Sequence, residues 1–270
     1  MLLQAKNDRI SVGGANMDYI SFGTGGEVLV MLPGLSDGLT TVKGKALPVA
    51  FAYRAYAKGY KVYMFSRRDH LPHGYSTRDM ARDQAEAMRT LGIAKAHVMG
   101  VSQGGMIAQY LAIDFPELVD KLVLVVTLSR QNARVQTVVG NWIAMAQAGD
   151  YKSLMIDTAE KTYSERYLKR YRLLYPLLGH VGKPKDFTRF LIQADSCISH
   201  DAYEELDKIQ SPVLVVGGDR DQIVGADASR ELAEQLRHSR LLMYDGLGHG
   251  TYEEAEDFHT HVMAFLRGKA

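Results

Sequence analysis

The sequence predicts an α/β fold, a mostly parallel sheet with helices on both faces, and three observations carry that prediction. Apolar runs of strand length alternate with helix-length amphipathic runs over most of the 270 residues. The alternation breaks once, after Val126, and resumes near Ser211. Between an apolar run at 96–101 and a helix-like run at 103–115 stands Gly100-Val101-Ser102-Gln103-Gly104, a Gly-x-Ser-x-Gly stretch. Such a stretch suits a sharp strand-to-helix turn that lifts the serine hydroxyl clear of the backbone.

The elements follow in order. Residues 9–12 and 17–22 read as two short strands joined at Gly13-Gly14-Ala15-Asn16, a tight hairpin sequence. The run 27–32 is continuously apolar after Glu27, as suits a strand buried on both faces. Pro33 to Gly38 is a loop, 46–58 a helix ended by Gly59, and 60–65 a strand. A polar loop is expected over 66–76. A helix is expected over 77–91, with Met80, Ala81, Gln84, Met88 and Leu91 on one face and Gly92 after its end. In the helix after Ser102, Ile107, Tyr110, Leu111 and Phe115 share a face and Pro116 ends the run. The next buried strand is 121–126.

From 127 to 200 only helix-like segments are found, at 132–148, 151–157, 160–174 and 185–199. This predicts a helical unit of 127–200 inserted into a core made of 1–126 and 201–270. Within it Tyr163, Tyr167, Tyr171 and Tyr175 recur every four residues and cover one helix face. That face either packs on its neighbours or roofs a ligand pocket. Strands at 213–216 and 240–244, and helices at 226–237 and 251–266, complete an eight-stranded pattern.

Composition narrows the function. The hydrophobic fraction is 46% and the charged fraction 23%, ordinary for a globular protein. A net charge of +1 argues against a nucleic-acid protein. The lone cysteine, Cys197, excludes an internal disulfide framework and a four-cysteine zinc site, and it fits a reducing cytoplasm. The first ten residues hold no apolar h-region, so no signal peptide is expected. No apolar run approaches the length of a membrane span. His70 and His73 are too isolated to suggest a metal site, and nothing calls for a metal or a cofactor.

A serine hydroxyl is a weak nucleophile until a base takes its proton, and histidine is the natural base near neutral pH. A carboxylate must then orient the imidazole. Two loops after late strands offer these groups. Gly217 to Val224 contains Asp219 and Asp221, and Asp245 to Gly250 contains His249 among three glycines. The chain order is Ser, Asp, His.

On these residues the chain resembles the α/β-hydrolase superfamily of esterases, lipases and peptidases, over nearly its full length. The resemblance implies an acid in Gly-x-x-Asp-x-Ile/Val-Val, which Gly218 to Val224 matches with Asp221 in place. Asp219 is its rival, with a turn former as the ordinary role. The Gly-x-Gly-His of the family is Gly246-Leu247-Gly248-His249. An oxyanion hole is implied at the backbone N–H groups of Gln103 and Leu35. Two departures stand out. Pro33 replaces the histidine of the family's His-Gly-x, and Ser66 to Ser76 keeps only Gly74-Tyr75-Ser76 of Asp-x-Arg-Gly-x-Gly-x-Ser. Arg67 or Arg68 either pairs with an acid there or is solvated, and solvated charge is the expected role.

The resulting expectation is a serine hydrolase with a helical lid and a catalytic triad of Ser102, His249 and Asp221. It would cleave a small apolar or aromatic ester under a roof that includes Trp142. The alternatives are a proline-iminopeptidase-like aminopeptidase, a carbon–carbon bond hydrolase or a cofactor-free lyase, and outside catalysis a ligand receptor. An aminopeptidase would need an acid to hold the substrate amine, and Glu160, Glu165, Glu204 and Glu205 are available. The expected partner is a small-molecule substrate, with a homodimer left open.

Overall fold

The computed structural model describes residues 3–179 and 182–268. Residues 1–2 and 269–270, at the ends of the two expected core segments, and 180–181 inside the expected helical unit lie outside the described residues. Eight strands form one sheet: β1 (Lys6–Val12), β2 (Ala15–Phe22), β3 (Glu27–Leu32), β4 (Tyr60–Arg68), β5 (Ala96–Val101), β6 (Val119–Val125), β7 (Val213–Gly218) and β8 (Ser239–Tyr244). Their spatial order is β1-β2-β4-β3-β5-β6-β7-β8. The β1–β2 and β2–β4 pairs are antiparallel, and every later pair is parallel.

The helices are α1 (Ala46–Ala52), α2 (Thr77–Thr90), α3 (Gln103–Asp114), α4 (Ala133–Gln147), α5 (Tyr151–Thr162), α6 (Glu165–Tyr171), α7 (Tyr175–Leu178), α8 (Thr188–Ile198), α9 (Ala226–Gln235), α10 (Thr251–Glu254) and α11 (Phe258–Leu266). None among the described residues is long and apolar enough to cross a membrane. The sheet separates two apolar layers. Ile107, Leu111, Met80 and Met88 of α2 and α3 lie on one face, and Phe258, Val262 and Ala50 of α1 and α11 on the other. Every residue of β5 is buried, as its unbroken apolar run requires between two parallel neighbours. The run α4–α8 falls between β6 and β7, where the strand alternation of the sequence lapses. A third apolar cluster joins it to the segments that follow β3, β5 and β7, with Val138, Trp142 and Phe190 against Leu35, Met106 and Val224.

Four segments depart from expectation. The 46–58 helix stops at Ala52 and tightens into a 3-10 turn, Arg54–Tyr56, which brings Tyr56 into the core beside Tyr60 and His259. The 251–266 helix is interrupted where Ala255 turns extended, at ψ 118°. The 160–174 helix breaks at extended Tyr163, because the Ser164 side chain caps α6 by accepting from the Tyr167 N–H. Strand β4 runs on through Arg68, which pairs with Met17 of β2, so the expected loop begins later.

Candidate active site

Ser102 sits between β5 and α3 with φ 54° and ψ −120°, outside the regions that a side-chain-bearing residue ordinarily adopts. Its N–H donates to the Val125 carbonyl at 2.8 Å, and its own carbonyl accepts from the Gly105 N–H and the Thr127 hydroxyl, both at 2.8 Å. The turn closes only because Gly100 and Gly104 flank it. A Cβ on Gly104 would collide with the Leu32 carbonyl, and one on Gly100 with the backbone of Gly104.

Asp221 and His249 come from the loops after β7 and β8, at the same end of the parallel strands as Ser102. The His249 Nδ1 lies 2.8 Å from Asp221 Oδ2, and both side chains are buried. Asp221 Oδ1 accepts from the Ile223 and Val224 N–H groups at 2.8 and 2.9 Å. Burial pushes the Asp221 carboxyl up, but the His249 ring and these backbone donors outweigh it, and the group is held below the usual carboxylate range. An ionised carboxylate can only accept, so Nδ1 is the donor and Nε2 is left free to accept a proton.

The two loops are laced together. Asp219 Oδ1 accepts from the Gly246 N–H at 2.7 Å, and the Arg220 N–H donates to the Leu247 carbonyl at 2.9 Å. Asp219 thus bridges the two loops, while Asp221 is the acid that meets His249. Gly218 makes the crossing fit, since a Cβ there would meet the Leu247 and Gly248 carbonyls. The Gly250 N–H donates to the Thr162 carbonyl at 2.7 Å, which fastens the end of α5 to the histidine loop.

Gln103 opens α3, and Leu35 opens a 3-10 turn, Leu35–Gly38. N–H groups at such first positions have no partner within their own helix. The segments that carry them are joined by Arg67. This side chain is only 1% exposed, which overturns the expectation of a solvated charge. Its Nη2 donates to the Pro33 carbonyl at 2.6 Å and to Gln103 Oε1 at 3.0 Å. Asp37, also buried, accepts from the Arg67 N–H at 2.9 Å and from Arg189 of α8 at 2.5 Å. Burial lowers the Arg67 guanidinium to about 10, still a cation at neutral pH. Arg68 is likewise buried, 3.5 Å from Asp83. Nothing in the pattern of 66–76 signals this burial, because the acids concerned lie far away in the chain.

The Gln103 amide nitrogen reaches α8, donating to the Gln193 carbonyl at 2.8 Å and to the Ser196 hydroxyl at 3.2 Å. Trp142 is buried with its indole N–H donating to Asp157 at 2.7 Å, in the same apolar cluster as Leu35. Tyr163, Tyr167 and Tyr171 stack in sequence, with centroids 4.5 and 4.6 Å apart. Cys197 is a buried free thiol that burial pushes up to about 12, a packing residue rather than a nucleophile. Beside Ser102 an apolar crevice of about 200 Å³ opens between Gly34, Met64, Val101, Tyr53, Tyr252 and Glu253.

Comparison with known proteins agrees with this architecture. RutD of Caulobacter sp. (strain K31), provisionally named a carbamate hydrolase, is 32% identical over 196 residues, covering 71% of this chain and 72% of that protein. A 2-hydroxy-6-oxononadienedioate/2-hydroxy-6-oxononatrienedioate hydrolase of Burkholderia vietnamiensis (strain G4 / LMG 22486) is 29% identical over 267 residues, covering 92% and 90%. MGS-M2, an alpha/beta hydrolase enzyme from a Medee basin deep-sea metagenome library, superposes with a TM-score of 0.83 at 19% identity over 97% of this chain and 98% of its own. Residues 27–256 match the family model described as alpha/beta hydrolase fold, and the chain belongs to that family.

Proposed function

We propose that the protein is a serine hydrolase acting on a small apolar or aromatic carboxylic ester through an acyl-enzyme. The observation that carries this reading is the buried 2.8 Å pair of His249 and Asp221, set at the same end of the sheet as the strained turn of Ser102. Ser102 Oγ attacks the acyl carbon while His249 Nε2 takes its proton. Asp221 stabilises the imidazolium. The Leu35 and Gln103 N–H groups receive the oxyanion, and His249 returns the proton to the departing alkoxide. Water, activated by the same ring, then frees the acid. The helices of 127–200 act as a cap, with Trp142 giving its roof an apolar wall.

Carbon–carbon bond hydrolysis is the second reading, favoured by the named activity of the Burkholderia relative. Three of the four acids considered for an aminopeptidase are engaged by cations. Glu160 and Glu165 both pair with Arg172, and Glu205 pairs with Arg78 and Lys208.

The test is labelling by a fluorophosphonate together with hydrolysis of short p-nitrophenyl esters. Wild-type protein is expected to label and turn over, and Ser102→Ala to do neither. Absence of labelling in the wild type would leave a ligand receptor as the better description. Ester turnover with no cleavage of amino-acyl β-naphthylamides separates esterase from peptidase.

A further inference from the structure

Glu253 has no part in the chemistry above, yet it lines the crevice beside Ser102. Gly34 and Val101 line the same crevice. A Cβ placed on Gly34 would stand 3.4 Å from Ser102 Cβ and 3.9 Å from its Oγ, so the crevice begins in contact with the nucleophile's own turn. Its walls are apolar, with Met31, Val49, Met64 and Met99 contributing. At about 200 Å³ it admits only a short group, since drug-sized pockets begin near 300 Å³.

The carboxylate in its lining is unusually placed. Tyr163 donates to Glu253 Oε2 at 2.7 Å, and Tyr252 supports the same carboxyl with a further hydrogen bond. No cation pairs with it among the described residues; the charge that acts on it is that of Glu254. Glu254 itself is engaged elsewhere, accepting from the Ser164 N–H at 2.9 Å and from the Ser164 hydroxyl. Packing around Glu253 holds its carboxyl above the ordinary range, and the two tyrosines offset only part of that rise. Its side chain nonetheless stays open to solvent. Tyr53 and Tyr252 add aromatic surface to the same wall, and aromatic faces attract cations as a carboxylate does.

We infer that this crevice is a specificity subsite for a substrate arm with a short alkyl chain ending in a protonated amine, the ammonium being held by Glu253 beside Tyr53 and Tyr252. The inference rests on the serine-hydrolase reading and narrows its substrate class. The apolar walls accept the chain, and the unpaired carboxylate discriminates in favour of its charged end. The Tyr163–Glu253 hydrogen bond sets the acid in place from the helical unit, so the subsite spans both parts of the molecule.

Two measurements test it. Esters carrying a terminal amine on the acyl arm, or on the alcohol arm, are compared with methyl-terminated isosteres as ratios of kcat/KM. Wild-type protein is expected to favour the amine at least tenfold on one arm, with the preference falling as salt rises and collapsing toward unity in Glu253→Gln. A wild-type ratio near one on both arms, or a preference that survives in Glu253→Gln, overturns the inference. Calorimetric binding of butylammonium chloride, with butanol as the neutral control, needs no turnover. Ammonium binding that exceeds butanol binding and disappears in Glu253→Gln supports the subsite even if ester hydrolysis fails, and equal binding of the two overturns it even if hydrolysis succeeds.

Discussion

His249 and Asp221 stand 28 residues apart in the chain, yet the ring Nδ1 lies 2.8 Å from Asp221 Oδ2 while Oδ1 is held by the Ile223 and Val224 N–H groups. The carboxylate is thereby fixed at both oxygens, and the ring inherits its orientation.

Asp221→Asn keeps the shape but not the tautomer. Its amide can still accept from the two backbone donors with one oxygen, which turns its NH2 toward His249 Nδ1. The ring must then carry its proton on Nε2, where it can no longer accept one from Ser102. A fall in kcat of about three to four powers of ten is expected, with urea stability little changed. Retention of more than a tenth of the wild-type rate on p-nitrophenyl acetate would remove Asp221 from the proposed triad.

Ser102 holds a conformation, φ 54° and ψ −120°, that glycine adopts without strain. Ser102→Gly is expected to abolish turnover and to raise unfolding stability by about 1 kcal/mol, the lower end of what such backbone strain costs. Denaturant melts of the two proteins decide it. A less stable glycine variant would mean that the serine side chain holds the turn together rather than straining it.

Arg67 links Pro33, which precedes one proposed oxyanion donor, to Gln103, which supplies the other. Arg67→Met would strand both acceptors. We expect kcat to fall about tenfold or more with KM changed less, and stability to drop by about 3 kcal/mol as buried polar groups lose their partner. Arg67→Lys should recover part of the stability but not the two-acceptor geometry. Equal losses in kcat and in the fraction folded would reduce the role of Arg67 to structure alone.

His200, just past the end of α8, ties that segment to α2, with its Nδ1 2.9 Å from the Thr77 hydroxyl, and burial lowers it from 6.5 to about 3. Between those two values the unfolded chain binds a proton there that the folded chain does not, so folding stability must decline as pH falls through that window. The slope from this one group is at most about 1.4 kcal/mol per pH unit. His200→Asn should flatten the acid limb in urea titrations between pH 6 and pH 4. An unchanged limb would assign the acid sensitivity to other groups.

Much of this molecule is legible in local pattern. Continuous apolar runs announce strands buried on both faces, and a run such as 96–101 leaves little else for the chain to do there. The motifs around Ser102, Asp221 and His249 are legible for a related reason. Each needs glycine at fixed offsets, because backbone passes so close that a side chain would collide, as at Gly104 and Gly218. Helix continuity across 46–58, 160–174 and 251–266 is less legible. Two of the breaks involve distant partners: the core around Tyr56, and the Glu254 carboxylate that grips Ser164.

The sequence by itself determined the sheet, its order of strand and helix, and the candidate triad, because period and glycine spacing are local properties that survive without knowledge of neighbours. Only the tertiary structure decided that Arg67 is buried, that Trp142 is anchored by Asp157, and that Glu253 faces a crevice beside Ser102. A charge or an indole has no intrinsic address. Whether it meets water, a counter-ion or a cavity depends on which remote segment the fold brings to it.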